Sequence, residues 1–366
     1  MECRRISQRD IARQANVHFT TVSLALRNSP HLPEETRLRI QRIAEEMGYR
    51  PDPMLSGLQS YRKMIHSPHF QGVIAWINTH PVASELYRAD HAQHYLEGAK
   101  ARCDQLGYKL EEFNLSEIDV PRLSKILQAR RIQGLLLPPQ PETHPALGLD
   151  WDNYSAVTFG YTLSKPQLHL VTNAQYRASR MGVRILHEHG YRRIGFEISK
   201  ITDERTDRNF SGGFLTAQRE YTSGGDIPLL IVDARDIEEQ RKQFNKWYKH
   251  HRPDAILALF EHACRFFKEE RISYSECGLA LLSLDESRDK TVARIDQNDV
   301  VIGKTAVDYV VGMIQRNERG VPSTPLRILV ESVWIPGNSL PGRPVGEPAP
   351  PPARTSRPRK ASGVAK

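Results

Sequence analysis

The sequence predicts a small all-α head carrying a helix-turn-helix, followed by an α/β body of two doubly wound parallel-sheet subdomains. Three observations predict this. The first 50 residues read as three short helices, with a tight turn between the first two. From residue 72 onward, apolar runs of strand length alternate with longer amphipathic stretches. The 366 residues also exceed one small domain, and seven or more strands fit two α/β subdomains better than one.

In the head, helices are expected over 7–15, 18–27 and 33–47. Ile11, Ala12 and Ala15 form the inner face of the first helix, and the two small alanines let the second cross closely. Asn16 stands at the turn, where a left-handed residue is wanted and Asn tolerates that conformation better than most. Val17, Val22, Ala25 and Leu26 make the buried stripe of the second helix. Its other face shows Phe19, Thr20, Ser23, Leu24 and Arg27. Small hydroxyls suit phosphates and base edges, and Phe19 suits a thymine methyl. Leu38, Ile40, Ile43, Ala44 and Met47 are the apolar positions of the third helix, which Gly48 stops.

A linker rich in proline follows. In 51–66, Asp52 and Pro53 give a helix start, but the helix is short and Gly57 weakens it. The body, 67–340, has strand-like runs at 72–77, 134–137, 156–159, 194–198, 229–232, 255–260 and 279–284. Helical stretches lie at 91–106, 119–130, 174–189, 208–222, 236–250 and 299–317. The tail, 341–366, is rich in proline and arginine and cannot bury a core, so it is expected to be disordered.

Charge is unevenly distributed. The net charge is +8, of which residues 1–66 carry +4, the tail +5 and the middle −1. A basic head on a neutral body suits a polyanionic partner. Hydrophobic residues make up 39% and charged ones 26%, an ordinary globular composition. No apolar run approaches the ~20 residues that span a bilayer. Residues 1–5 lead directly into polar sequence without a signal-peptide core, so a cytoplasmic place and no membrane partner are expected. The four cysteines lack metal-ligand spacing, and free thiols with no metal are expected. The sequence holds no Gly-x-Ser-x-Gly elbow, P-loop, His-Glu-x-x-His or dinucleotide fingerprint, which argues against an enzyme and against a cofactor. A solute-binding or enzymatic α/β protein with an incidental helical head stands as the alternative.

The runs Asp10-Ile11-Ala12, Ala15-Asn16-Val17, Thr21-Val22-Ser23, Thr36-Arg37 and Gly48-Tyr49-Arg50-Pro51 resemble the lac-repressor (LacI) family. So do Gly107-Tyr108, Gly134-Leu135-Leu136-Leu137-Pro138, Gly190-Tyr191-Arg192-Arg193-Ile194-Gly195-Phe196, and Gln297 six residues before Gly303. The resemblance covers about 6–340. It implies a homodimeric repressor on a near-palindromic double-stranded DNA operator. It also implies a periplasmic-binding-protein-like body that senses a small-molecule effector, such as a sugar, in a cleft between subdomains.

By that resemblance His18, Phe19, Thr20 and Leu24 face the bases, and Thr21, Ser23 and Arg27 the phosphates. Leu55 and Leu58 belong to a hinge helix in the minor groove, Leu58 as the wedge. Asn78, Arg208, Asp285 and Gln297 fall at or near the wall of the effector cleft. The chain departs from the family in several places. His18 replaces a hydroxyl residue that commonly caps the recognition helix. Leu24 stands where many members have arginine, and Pro33 where a hydroxyl residue is common. In the body, Asn173-Ala174 replaces an Asp-Asn pair, and Phe210 replaces an effector-clamping arginine.

Overall fold

The computed structural model describes residues 6–26, 29, 32–49, 70–79, 90–140, 147–163, 165–221, 227–233, 236–259, 262–283 and 291–342. Arg27, Leu55, Leu58 and Asp285 lie outside them, as do the whole of the hinge, 51–66, and most of the tail.

The head consists of α1 (Gln8–Ala15), α2 (Phe19–Leu26) and α3 (Glu34–Glu46) around Ile11, Ala12, Ala15, Val22, Ala25, Ile40 and Ala44. Ser7 and Asp10 cap α1 reciprocally, each side chain accepting the other residue's backbone N–H. Asn16 ends α1 in the left-handed conformation, φ 50°. The last turn of α3 closes in a Schellman motif: Gly48, φ 68°, donates its N–H to Glu45, and Tyr49 donates to Ala44. Two side chains of the helices' polar faces tie the head together. Arg39 Nη1 donates to the Ala15 carbonyl at 3.3 Å, and Gln41 Nε2 to the Ala25 carbonyl at 2.9 Å. Leu38 departs from its expected place: it is 50% exposed, because Ile40 and Ala44 already fill the inner face. Pro33 precedes α3 without any side-chain cap, as its chemistry requires.

Behind the head the chain forms two compact units. One contains the chain up to Ala174 together with Asn298–Glu331; the other contains Gln175–Gln297 and the segment from Ser332 onward. The chain passes between the two units three times.

The body part of the first unit comprises β1 (Gly72–Asn78), α4 (Asp90–Leu106), β2 (Tyr108–Asn114), α5 (Val120–Ala129), β3 (Gly134–Leu137), β4 (Ser155–Phe159), β5 (His169–Asn173), α11 (Asp299–Arg316) and β11 (Arg327–Val330). The sheet order is β11-β5-β4-β3-β1-β2, with every pairing parallel. Alternate residues supply its two faces. Ile74, Trp76, Leu136 and Val157 pack under α4 and α11, whereas Ala75, Ile77, Leu135 and Leu137 pack under Leu123 and Leu127 of α5. Helices α4 and α11 cross at glycines from both sides. A Cβ on Gly303 would lie 2.1 Å from the Tyr95 carbonyl oxygen, and one on Gly98 2.1 Å from that of Val300.

The second unit repeats the plan with α6 (Gln175–Glu188), β6 (Ile194–Ser199), α7 (Lys200–Arg205), α8 (Asn209–Tyr221), β7 (Leu230–Val232), α9 (Ile237–His251), β8 (Ala255–Ala258), α10 (His262–Glu269), β9 (Gly278–Leu281), β10 (Ala293–Asp296) and β12 (Val333–Ile335). Its order is β12-β10-β9-β8-β6-β7, parallel except for β12. Phe196, Ile198 and Leu257 pack toward α6 and α8; Ile256, Ala258 and Leu279 pack toward Phe244, Trp247 and Phe266 of α9 and α10. The buried Asp254 carboxylate accepts the backbone N–H groups of Arg192 and Arg193, both at 2.9 Å, and so fixes the entry to β6. The fold is the two-lobed, periplasmic-binding-protein-like architecture with a helical head.

Candidate nucleic-acid interface and effector-side residues

Helix α2 has one buried face and one bare face. Val22 and Ala25 are buried and Val17 and Leu26 half-buried against α1 and α3, so the turn aims the opposite residues outward. Phe19 is 45% exposed and Leu24 39%, with His18 and Thr20 also exposed; Thr21 and Ser23 flank them half-buried. Thr20 and Leu24, four residues apart, share one side of the helix. Leaving two large apolar side chains in water next to hydroxyls has no packing benefit inside the head. It suits a surface that meets thymine methyls and base edges.

His18 stands where a hydroxyl residue commonly caps the recognition helix. Its Nδ1 lies 2.8 Å from Thr20 Oγ1 and 3.5 Å from the Thr20 backbone N, and so supplies a weak cap. Its ring tilts against Phe19 with centroids 5.4 Å apart. Three of the expected base-reading residues thus form one group at the start of α2, joined by a hydrogen bond and a tilted ring contact.

The described residues among those expected to meet an effector are divided between the two units. Asn78 ends β1 in the first lobe and is buried. Arg208 is exposed in a left-handed turn, φ 55°, before α8, and Gln297 follows β10, its amide donating to the Leu282 carbonyl; both belong to the second lobe. Phe210, in the first turn of α8, is packed into the core, so no ligand-clamping side chain is available at that position.

In each lobe strand order reverses beside the first strand, β1 in one and β6 in the other. Such switch points open a crevice at the carboxyl ends of the strands. Polar residues missed in the sequence collect there. In the first lobe Thr79 Oγ1 donates to Gln140 Oε1 at 2.5 Å, and the Gln140 backbone N–H donates to Thr162 Oγ1 at 2.7 Å. In the second lobe, Glu197 near the end of β6 and Asp203 in α7 are buried, each with one oxygen lacking a partner. Burial pushes the Glu197 carboxyl up to about 8 and lowers the Arg205 guanidinium. For Gln140 the sequence signal was a polar residue close behind an apolar run, in Leu137-Pro138-Pro139-Gln140; Glu197 sits inside the run 194–198, and Asp203 follows no such run. Among the described residues no group of His, Cys, Asp and Glu has the makings of a metal site, and no helix is long and apolar enough to cross a membrane.

Residues 8–52 match the family model described as bacterial regulatory proteins, lacI family. The chain is 23% identical over 335 residues to the HTH-type transcriptional regulator MalR of Streptococcus pneumoniae, covering 86% of this chain and 94% of that one. It is 27% identical over 258 residues to the HTH-type transcriptional repressor PurR of Escherichia coli, covering 68% and 70%. Among solved structures it resembles the transcriptional regulator CelR in its cellobiose complex, with a TM-score of 0.55 and 16% identity over 90% of this chain and 98% of that one. It also resembles the lac repressor dimer bound to operator and the anti-inducer ONPF, with a TM-score of 0.54 and 16% identity over 91% and 98%. These relatives are transcriptional regulators rather than enzymes. The head, residues 8–52, is a lacI-family DNA-binding domain, and together with the exposed face of α2 and the two-lobed body it makes this chain a DNA-binding transcription regulator similar to lacI-family proteins.

Proposed function

We propose that the protein is a homodimeric repressor that reads a near-palindromic operator through α2 and is controlled by a small molecule. The observation that carries this reading is the exposed cluster of His18, Phe19, Thr20 and Leu24 on a helix whose other face is fully used in packing. Thr21, Ser23 and Arg27 hold the flanking phosphates, and Leu55 and Leu58 form the minor-groove hinge. The basic head, residues 6–50, then acts with the hinge, 51–66, as the DNA-binding part, and 67–340 as the effector-sensing and dimerising part.

The effector is read at the carboxyl ends of the strands, with Asn78, Arg208, Asp285 and Gln297 as wall residues. A sugar fits the hydroxyl and amide chemistry of the Thr79, Gln140 and Thr162 cluster. The body serves as a sensor and not as an enzyme, acting in the cytoplasm where the operator is.

Footprinting on genomic fragments tests the reading. Two half-sites related by two-fold symmetry are expected, with a log–log salt slope on the order of −5 or steeper. An unsymmetrical footprint, or binding indifferent to salt, overturns it.

A further inference from the structure

Helix α9 is electrically divided. In its first half the cations are matched: Arg241 pairs with Glu238 and Glu270, both at 3.0 Å, and Lys242 with Glu239 at 3.4 Å. In its second half Lys246, Lys249 and His250 are exposed, and among the described residues the two lysines have no ion-pair partner. Cations near a helix C-terminus complement its dipole, which accounts for their being tolerated there. It does not account for what lies beside them.

A groove of about 790 Å3 runs between this half of α9 and β7, the edge strand of the second sheet. Gln243, Lys246 and His250, three and four residues apart, form its helical wall, and buried Leu230 and Trp247 form an apolar floor. The floor is preformed. Trp247 Nε1 donates to the Pro228 carbonyl at 2.8 Å, and the ring lies over Gly195, where a Cβ would sit 2.3 Å away. Among the described residues β7 is paired in the sheet only to β6, and its Ile231 is 43% exposed. None of the residues lining the groove is acidic.

An edge strand facing a helix across a groove is the geometry by which sheets accept an added strand. We propose that an extended acidic segment of a partner protein docks here as an extra strand beside β7. It would set an apolar side chain on Trp247 and Leu230 and its carboxylates on Lys246 and Lys249. The chain's own tail is a poor occupant, since residues 341–366 carry +5 against a cationic rim. DNA matches the charge but has no use for the apolar floor or the strand edge. This docking site is independent of the head and of the effector residues.

The probe is a fluorescein-labelled octapeptide alternating glutamate with valine and phenylalanine, titrated with the full-length protein by fluorescence anisotropy. Saturable binding is expected, weakened at least ten-fold by Lys246→Glu with Lys249→Glu. The charge-matched pair Lys109→Glu with Lys125→Glu on the first lobe should leave it unchanged. N-methylation of alternate peptide amides should abolish it, because strand pairing requires those donors. No binding, or equal binding of the N-methylated peptide or of octaglutamate, overturns the proposal. So does displacement by an unrelated DNA duplex whose own affinity falls with the same lysine variant, which would make the groove a nucleic-acid surface.

Discussion

The His18 imidazole and the Thr20 hydroxyl share a 2.8 Å hydrogen bond at the first turn of the recognition helix. With Nδ1 as the acceptor, the ring proton sits on Nε2, which becomes the donor available to DNA. One side chain thus holds the helix start and presents a polar edge beside Phe19. Replacing His18 separates the two roles. His18→Ala should lower the stability of the head by about 1 kcal/mol, the usual value of a lost cap. His18→Ser restores a good cap and removes only the ring, so its melting temperature should match or exceed that of the parent. Its operator affinity should still fall, by about 1–3 kcal/mol if the ring reads a base. Parental affinity in the serine variant would leave His18 as a cap alone.

Gly212 and Gly213, neighbours in α8, should respond to alanine with opposite signs. A Cβ on Gly212 meets nothing within 4 Å, whereas one on Gly213 would lie 2.2 Å from the Tyr176 carbonyl oxygen. Gly212→Ala should stabilise the protein by up to about 1 kcal/mol through helix propensity. Gly213→Ala should force α6 and α8 apart and cost roughly 1–3 kcal/mol. Chemical denaturation of the two variants side by side measures both. Equal effects would mean that α8 does not pack on α6 through Gly213.

Much of this packing was legible in the sequence. The helix expected over 174–189 spans Gln175–Glu188, and that expected over 299–317 spans Asp299–Arg316, because apolar residues recur at helical spacing through both. β2 escaped notice because it is an edge strand: Glu111 and Glu112 interrupt its apolar pattern, and they pair with Arg130 and Lys100. β10, with Arg294 and Asp296 alternating with buried neighbours, is too short to show a period. On the head, the bare face of α2 could be read because one helix carries every residue of it. The polar residues at the strand ends could not. Gln140 meets Thr79 and Thr162 only after three distant segments are brought side by side, and no local pattern announces that.

Glu197 should make stability fall as pH rises. Its carboxyl is buried with one oxygen unpartnered and is pushed up from 4.5 to about 8 by burial. Between those two values the folded state holds a proton that the unfolded state has released. Unfolding free energy therefore declines by about 1.4 kcal/mol per pH unit from this group. The contribution is fully present below pH ~4.5 and is lost as pH rises through ~8. Glu197→Gln removes the slope. The variant should match the parent near pH 5 and exceed its stability at pH 8 by a few kcal/mol, on the order set by that shift. Taking the difference between the two proteins cancels the histidines, including His187 and His251, whose lowered values act in the opposite direction. Parallel pH profiles would place Glu197 in contact with water.

The central claim is that the exposed face of α2 reads the operator, and Leu24 tests it most directly. Leu24 is 39% exposed and one turn beyond Thr20, and its side chain has no hydrogen-bonding group. An apolar side chain there discriminates modestly, whereas arginine makes a bidentate pair with guanine. Binding-site selection should be run on the parent and on Leu24→Arg, followed by affinity measurements on both consensus sites. The account predicts a new guanine preference of roughly 1–3 kcal/mol at one symmetry-related position in each half-site, with all other positions retained. A variant that returns the parental consensus, or loses sequence preference throughout, would contradict the placement of this helix in the major groove.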